Sequence, residues 1–182
     1  GMYLRTALSL LIDGDWTDTA CFFQNIPLSK RMSQEETQKI WEECIQNFEQ
    51  YLKNEIQNNP DNGNQLNVFR QEISDSCRKA AETDQQLYRL TVPTGAGKTL
   101  SSLRFALYHA KKEQKHRIIY IAPFNSILEQ NAEEIRKATG LPAAVLEHHC
   151  NVICEEGEEE KYRNLTETWD SPIIVTTAVQ IL

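Results

Sequence analysis

The sequence lacks an unbroken apolar run of the roughly 20 residues that a membrane-spanning helix requires, and its mean hydropathy is −0.53. The N-terminus also lacks the charged, apolar and small-residue regions that make up a secretory signal peptide. From these absences we expect neither a membrane protein nor a secreted one. We therefore expect a cytoplasmic protein.

A disulfide framework is missing as well. The five cysteines are an odd number and form no Cys-x-x-Cys pair. Small secreted domains that depend on disulfides usually carry an even number at regular spacing. We expect reduced thiols that act as small apolar side chains.

The chain has no excess of positive charge. It carries 19 Lys and Arg against 26 Asp and Glu, which gives a net charge of −7. This excludes a protein that holds nucleic acid by bulk positive charge. The charge is uneven, however, because residues 87–140 carry nine Lys and Arg against four Asp and Glu. We expect phosphate binding to be local to this segment.

What is present is the composition of a globular protein, with 182 residues of which 40% are hydrophobic and 25% charged. Helical spacing of apolar residues alternates with short apolar runs. Helices are predicted over 34–56, 68–81, 99–113 and 125–138, and strands over 87–92, 117–122, 143–147 and 173–176. This alternation predicts an α/β fold in which a parallel sheet is covered by helices on both faces.

Domain organisation follows from composition. Ser33 and Glu36 form a capping-box pattern ahead of the first long helix. Residues 58–64 are Asn, Pro, Asp and Gly without an apolar side chain, the composition of a linker. We expect residues 31–62 to be a linker helix with a turn-rich linker, and residues 63–182 to form the α/β domain.

The strongest chemical signal is the glycine-containing turn Val92–Thr99, which lies between a predicted strand and a predicted helix. Gly95 and Gly97 can take positive φ, so that successive N–H groups face one anion, and the helix that follows adds its N-terminal dipole. Lys98 and Thr99 are the predicted catalytic residues, the first for the β and γ phosphates of ATP and the second for Mg²⁺. The predicted cofactor-binding residues of the turn are Thr94, Gly95, Ala96, Gly97, Lys98 and Thr99.

Several stretches in order resemble the CRISPR-associated helicase-nuclease of type I interference systems, a superfamily 2 helicase that follows an HD nuclease domain. Val92 departs from the strict P-loop pattern, which begins with Gly. The stretches are 93–99 (similar to helicase motif I), 121–130 (motif Ia), 174–177 (the next DNA-contacting motif), 69–71, 147–149, and 10–20 (the closing helix of the HD domain).

The resemblance implies a RecA-like fold and ATP-driven translocation along single-stranded DNA in defence against foreign DNA. It implies ATP and Mg²⁺ as cofactors, a divalent transition metal for the nuclease, and recruitment by a guide-RNA surveillance complex. The resemblance also implies that Gln71 reads the adenine edge; the alternative is a surface glutamine. It further implies that Asp15 helps to hold the nuclease metal, with Asp13 as the second choice; the alternative for Asp15 is a helix cap or an ion pair.

Nucleic-acid binding is predicted where strands end. Backbone N–H groups at the start of a helix can bind a phosphate. The alternatives are that Asn125 is a simple helix cap and that Thr176 and Thr177 are ordinary strand residues. The predicted nucleic-acid-binding residues are Pro123, Phe124, Asn125, Thr176 and Thr177.

The resemblance also implies that residues 1–30 are the tail of the HD nuclease domain and that residues 63–182 stop before helicase motif II. We expect such a piece to bind nucleotide without hydrolysing it, and to self-associate over uncovered apolar faces. Two alternatives stay open: another superfamily 2 helicase acting on RNA or DNA, and a non-catalytic P-loop interaction module.

Overall fold

The computed structural model describes residues 7–8, 11–12, 32–58, 65–148 and 169–181. The chain divides into two units, Gly1–Met32 and Ser33–Leu182. Residues 7–8 and 11–12 of the first unit are helical. Asp15, Asp13 and residues 59–64 of the expected linker lie outside the described residues.

The second unit is an α/β fold. Its described residues form three parallel strands, β1 (Ile118–Ala122), β2 (Val145–His148) and β3 (Ile173–Thr177), in the order β1–β3–β2, with Ile118 and Val145 both opposite Ile173. The predicted α/β class is confirmed. Its elements are α1 (Gln34–Asn58), α2 (Gln65–Ala80), α3 (Lys98–Lys112), β1 (Ile118–Ala122), α4 (Asn125–Thr139), a 3-10 helix (Pro142–Ala144), β2 (Val145–His148), β3 (Ile173–Thr177) and α5 (Ala178–Ile181).

Helix α1 belongs to the core of this unit. Trp41, Cys44 and Phe48 recur at three- and four-residue spacing, and all three are fully buried in one cluster with side chains of α3, α4 and the sheet. The Trp41 Nε1–H also donates a hydrogen bond of 2.8 Å to the carbonyl of Lys115. The expectation of a linker helix is therefore corrected: α1 belongs to the second unit, which begins at Ser33, and its apolar stripe is buried against the α/β elements.

The start of α1 has the geometry of a capping box. The Ser33 N–H donates to the Glu36 carboxylate at 2.7 Å, and the Glu36 N–H donates to the Ser33 hydroxyl at 3.2 Å. This prediction from the sequence is confirmed.

Residues 87–92 do not form the predicted strand. The segment has no regular secondary structure, and among the described residues no strand pairs with it. Alternation of apolar residues is not sufficient, because a strand also needs a neighbour for its backbone hydrogen bonds. Tyr88 instead packs on α3, with its ring 4.6 Å from that of Phe105, centre to centre.

Helices cover one face of the sheet in the described part of the chain. Ile118, Ile173 and Val175 point into the cluster formed with α1, α3 and α4. On the opposite face Ile119 and Ile121 of the edge strand β1 are exposed, whereas Ile174 of the central strand β3 is buried. The expectation of helices on both faces stays a prediction. None of the helices described is long and apolar enough to cross a membrane.

Candidate nucleotide-binding site

The turn ahead of α3 has the backbone conformation that the P-loop prediction requires. Gly95 and Gly97 take φ values of 83° and 75°, a region that favours glycine. Gly97 directly precedes Lys98, the first residue of α3, and offers no side chain to cap the helix. The N–H groups of the first turn of α3 are therefore left for another acceptor, as an anion-binding turn needs.

A cleft of about 810 Å³ opens at this turn. Four elements of the domain contribute to its walls, and polar side chains stand beside apolar ones. Its lining residues include Tyr51, Leu52, Glu55 and Ile56 of α1, Asn67, Arg70, Gln71 and Ser74 of α2, Thr94 to Thr99 except Ala96, and Ile127, Gln130, Asn131 and Glu134 of α4. The structure thus brings Gln71 into the cleft with Thr94, Gly95, Gly97, Lys98 and Thr99, whereas Ala96 is buried beneath the turn.

Lys98 is an exposed cation in this cleft, and the described residues include no ion-pair partner for it. Most other cations of the basic segment are neutralised by carboxylates, so the segment is not a continuous phosphate-attracting surface. Instead, the cations of this segment that have no ion-pair partner among the described residues include Lys98, which lies at the turn. The paired residues are Arg104, Lys111, Lys112, Arg117, Arg136 and Lys137.

Arg70 holds the turn from α2. Its Nε and one terminal nitrogen donate to the carbonyl of Gly95 at 3.0 and 2.7 Å, and its other terminal nitrogen donates to Asn67 at 3.3 Å. This role of Arg70 was not predicted from the sequence. Arg70 lies 25 positions from Gly95, and nothing in the local pattern of α2 identifies the partner.

Thr99 faces α4. Its hydroxyl donates to Oδ1 of Asn131 at 3.1 Å. Burial raises the pKa of the nearby Glu134 carboxyl; a hydrogen bond with Thr99 lowers it in part, and the charge of Glu55 raises it further. These α4 and α1 side chains were not among the site residues predicted from the sequence.

These residues fit a magnesium ion bound together with a nucleotide. The Thr99 hydroxyl gives its hydrogen to Asn131, so its lone pairs remain for a cation. In the part of the chain that the structure describes, no three His, Cys, Asp or Glu side chains form a cation cage. Mg²⁺ needs none, since it usually binds through one or two protein oxygens, water and substrate phosphates.

The expected nucleic-acid-binding residues meet at one edge of the sheet. Ala122, which precedes Pro123, lies opposite Thr177, so the two segments end side by side. Thr176 and Thr177 are buried, however, and Phe124 is exposed. Asn125 is the first residue of α4, while Phe124 occupies the cap position, so the alternative interpretation of Asn125 as the helix cap is wrong.

Comparison with known proteins gives one family. Residues 31–182 match the family described as type III restriction enzyme, res subunit. The chain belongs to this family. It is an ATP-dependent helicase-type domain of superfamily 2, and the predicted helicase superfamily and RecA-like fold are confirmed. No curated protein matches the chain.

A buried arginine connects the helices of the helicase-type domain that line the cleft. Arg104 of α3 makes a two-pronged contact with the Glu49 carboxylate of α1, with both distances 2.8 Å. It also donates to Asp75 at 2.7 Å and to Ser74 at 3.1 Å, both on α2. One side chain therefore ties together three of the helices that carry cleft residues.

Proposed function

We propose that this domain binds ATP with Mg²⁺ at the turn between Thr94 and Thr99. The carrying observation is Lys98, an exposed lysine without an ion-pair partner among the described residues, at the start of a helix whose preceding glycines have positive φ. A phosphate in the cleft would receive the backbone N–H groups of the turn and the lysine charge together.

The proposed roles follow from position. Lys98 neutralises charge on the β and γ phosphates, Thr99 offers its oxygen to the magnesium ion, and Arg70 keeps the Gly95 carbonyl turned away from the phosphates. Gln71 reads the adenine edge through its amide, which both donates and accepts. Bound Mg²⁺ supplies charge neutralisation of the phosphates.

For nucleic acid we propose the loop at Pro123, Phe124 and Asn125, where the exposed start of α4 is open to a phosphate. Thr176 and Thr177 remain proposed nucleic-acid-binding residues. Because both are buried, they would contact a phosphate only if this end of the sheet opened; while it is closed, they support the end of β3 beside the loop.

We further propose that the parent activity is that of a CRISPR-associated helicase-nuclease, which moves along single-stranded DNA in the cytoplasm and is recruited by a guide-RNA complex. Asp15 is assigned to the transition metal of the HD nuclease in this proposal. The motif order in the sequence supports it. A second candidate, a translocating subunit of a restriction enzyme, is favoured by the description of the matched family.

Nucleotide binding is tested by titrating the protein with a fluorescent ATP analogue in the presence of Mg²⁺. Lys98→Ala is expected to weaken binding at least about ten-fold, because it removes a charge-assisted contact with phosphate. The control is Lys111→Ala, which removes a lysine from the last turn of the same helix. Equal affinity of Lys98→Ala and the wild type would rule out the proposed site.

The two candidate activities are separated by labelled oligonucleotides. Preference for single-stranded DNA over duplex DNA and RNA supports the CRISPR-associated role, whereas preference for duplex DNA supports the restriction role. Phe124→Ala is expected to weaken oligonucleotide binding and to leave ATP affinity unchanged.

A further inference from the structure

Helix α4 holds the Thr99 hydroxyl from one side. Asn131 accepts its hydrogen at 3.1 Å, and Glu134, three residues further along the same helix face, also interacts with it. Both side chains line the cleft at the turn. Asn131 and Glu134 thus contact the proposed cation ligand Thr99, and both lie outside the helicase motifs predicted from the sequence.

The chemistry of a hydroxyl makes this contact relevant to a metal. A threonine hydroxyl has one hydrogen and two lone pairs. It can ligate a cation only when a lone pair points at the cation and the hydrogen points elsewhere. The Asn131 oxygen and an ionised Glu134 both accept and do not donate, so they draw the hydrogen of Thr99 towards α4.

The charges of the cleft favour a cation in the same place. Glu134 and Glu55 both line the cleft, and two carboxylates on the same cleft repel each other. A divalent cation beside Thr99 relieves this repulsion. The orientation of the Thr99 hydroxyl and the charge of the two carboxylates therefore both favour a cation beside Thr99.

We propose that Asn131 and Glu134 are positioning residues for the magnesium ion of a bound nucleotide, because they take the hydrogen of the Thr99 hydroxyl and leave its oxygen to the cation. The inference rests on the proposed nucleotide-binding function. It gives α4 a role in the cation dependence of nucleotide affinity, in addition to its start at the proposed nucleic-acid loop.

The test measures affinity for the fluorescent ATP analogue twice, in Mg²⁺ and in EDTA. Asn131→Leu and Glu134→Leu remove the acceptors singly, and the double variant removes both. The double variant is expected to lose about three- to ten-fold of its affinity in Mg²⁺, the effect of about one hydrogen bond, and to change less than about two-fold in EDTA.

Matched controls separate positioning from folding. Asn131→Asp keeps an acceptor oxygen and is expected to retain the Mg²⁺ effect. Glu133→Leu removes the neighbouring exposed carboxylate, which pairs with Lys137 outside the cleft, and is expected to change neither affinity. If a leucine variant loses its circular dichroism spectrum, Asn131→Ala and Glu134→Ala, which favour helix, replace it.

The outcomes distinguish the two proposals. Wild-type binding no stronger than that of Lys98→Ala overturns the nucleotide-binding function itself. Binding that depends on Lys98 but gains nothing from Mg²⁺, or that keeps its full Mg²⁺ effect in the double variant, overturns the role of α4 and leaves the function standing.

Discussion

Replacing Arg104 by alanine removes the side chain that ties α1 and α2 to α3. Arg104 is 5% exposed and makes two contacts of 2.8 Å with Glu49 and one of 2.7 Å with Asp75. Removal of one partner from a buried ion pair costs roughly 3–5 kcal/mol, because a charge stays buried without compensation. Here Glu49 and Asp75 are 26% and 48% exposed, so water reaches the carboxylates that remain. We therefore expect a loss of about 3 kcal/mol, the lower end of that range.

The measurement is urea unfolding followed by circular dichroism. Lys111→Ala is the matched control, because Lys111 and Glu42 also join α3 to α1, at 3.1 Å, but are 44% and 52% exposed. An exposed pair of this kind contributes about 0–1 kcal/mol. Arg104→Lys is expected to fall between the two, since lysine keeps the charge but not the two-pronged contact. If Arg104→Ala and Lys111→Ala lower the free energy of unfolding equally, the contacts of Arg104 with Glu49 and Asp75 do not stabilise the packing of α1 and α2 on α3.

Two further predictions follow from single contacts. Arg70→Ala is expected to weaken ATP binding about five-fold, because the Gly95 carbonyl loses both of its donors from α2; the same fluorescence titration measures it, and an unchanged affinity would contradict the role of Arg70. Burial raises the pKa of the Cys44 thiol from 9.0 to about 12. The native protein therefore binds this proton more tightly than the unfolded chain, and the stability that this linkage contributes is full below pH 9 and is lost as the pH rises towards 12. The fall in wild-type stability over that window should be smaller in Cys44→Ala, and identical slopes in the two proteins would refute the assignment.

Local patterns predicted most of the elements. The capping box at Ser33 and Glu36 and the apolar stripes of α1, α3 and α4 act within a few residues, so the helices follow from neighbouring side chains. Residues 87–92 show the limit of this reasoning. Their alternation is that of a strand, but a strand forms only where another one lies beside it.

The charge available for phosphate binding is a second property that depends on neighbours in space. The basic segment has a clear excess of Lys and Arg, but Arg104 is buried between Glu49 and Asp75, and Lys112 pairs with Asp84. Those carboxylates come from other segments of the chain. The count of charges therefore indicated a phosphate-binding region, and the pairing leaves Lys98 as the cation of this segment that lies at the turn without an ion-pair partner among the described residues.

The order of residues from Thr94 to Thr99 by itself determined the chemistry of the turn, because glycine conformations, a lysine and a hydroxyl at the start of a helix are properties of adjacent residues. Only the tertiary structure decided which side chains reach that turn. Arg70 and Asn131 contact it from 25 and 32 positions away. Such contacts depend on how whole helices pack, and no local spacing encodes that packing.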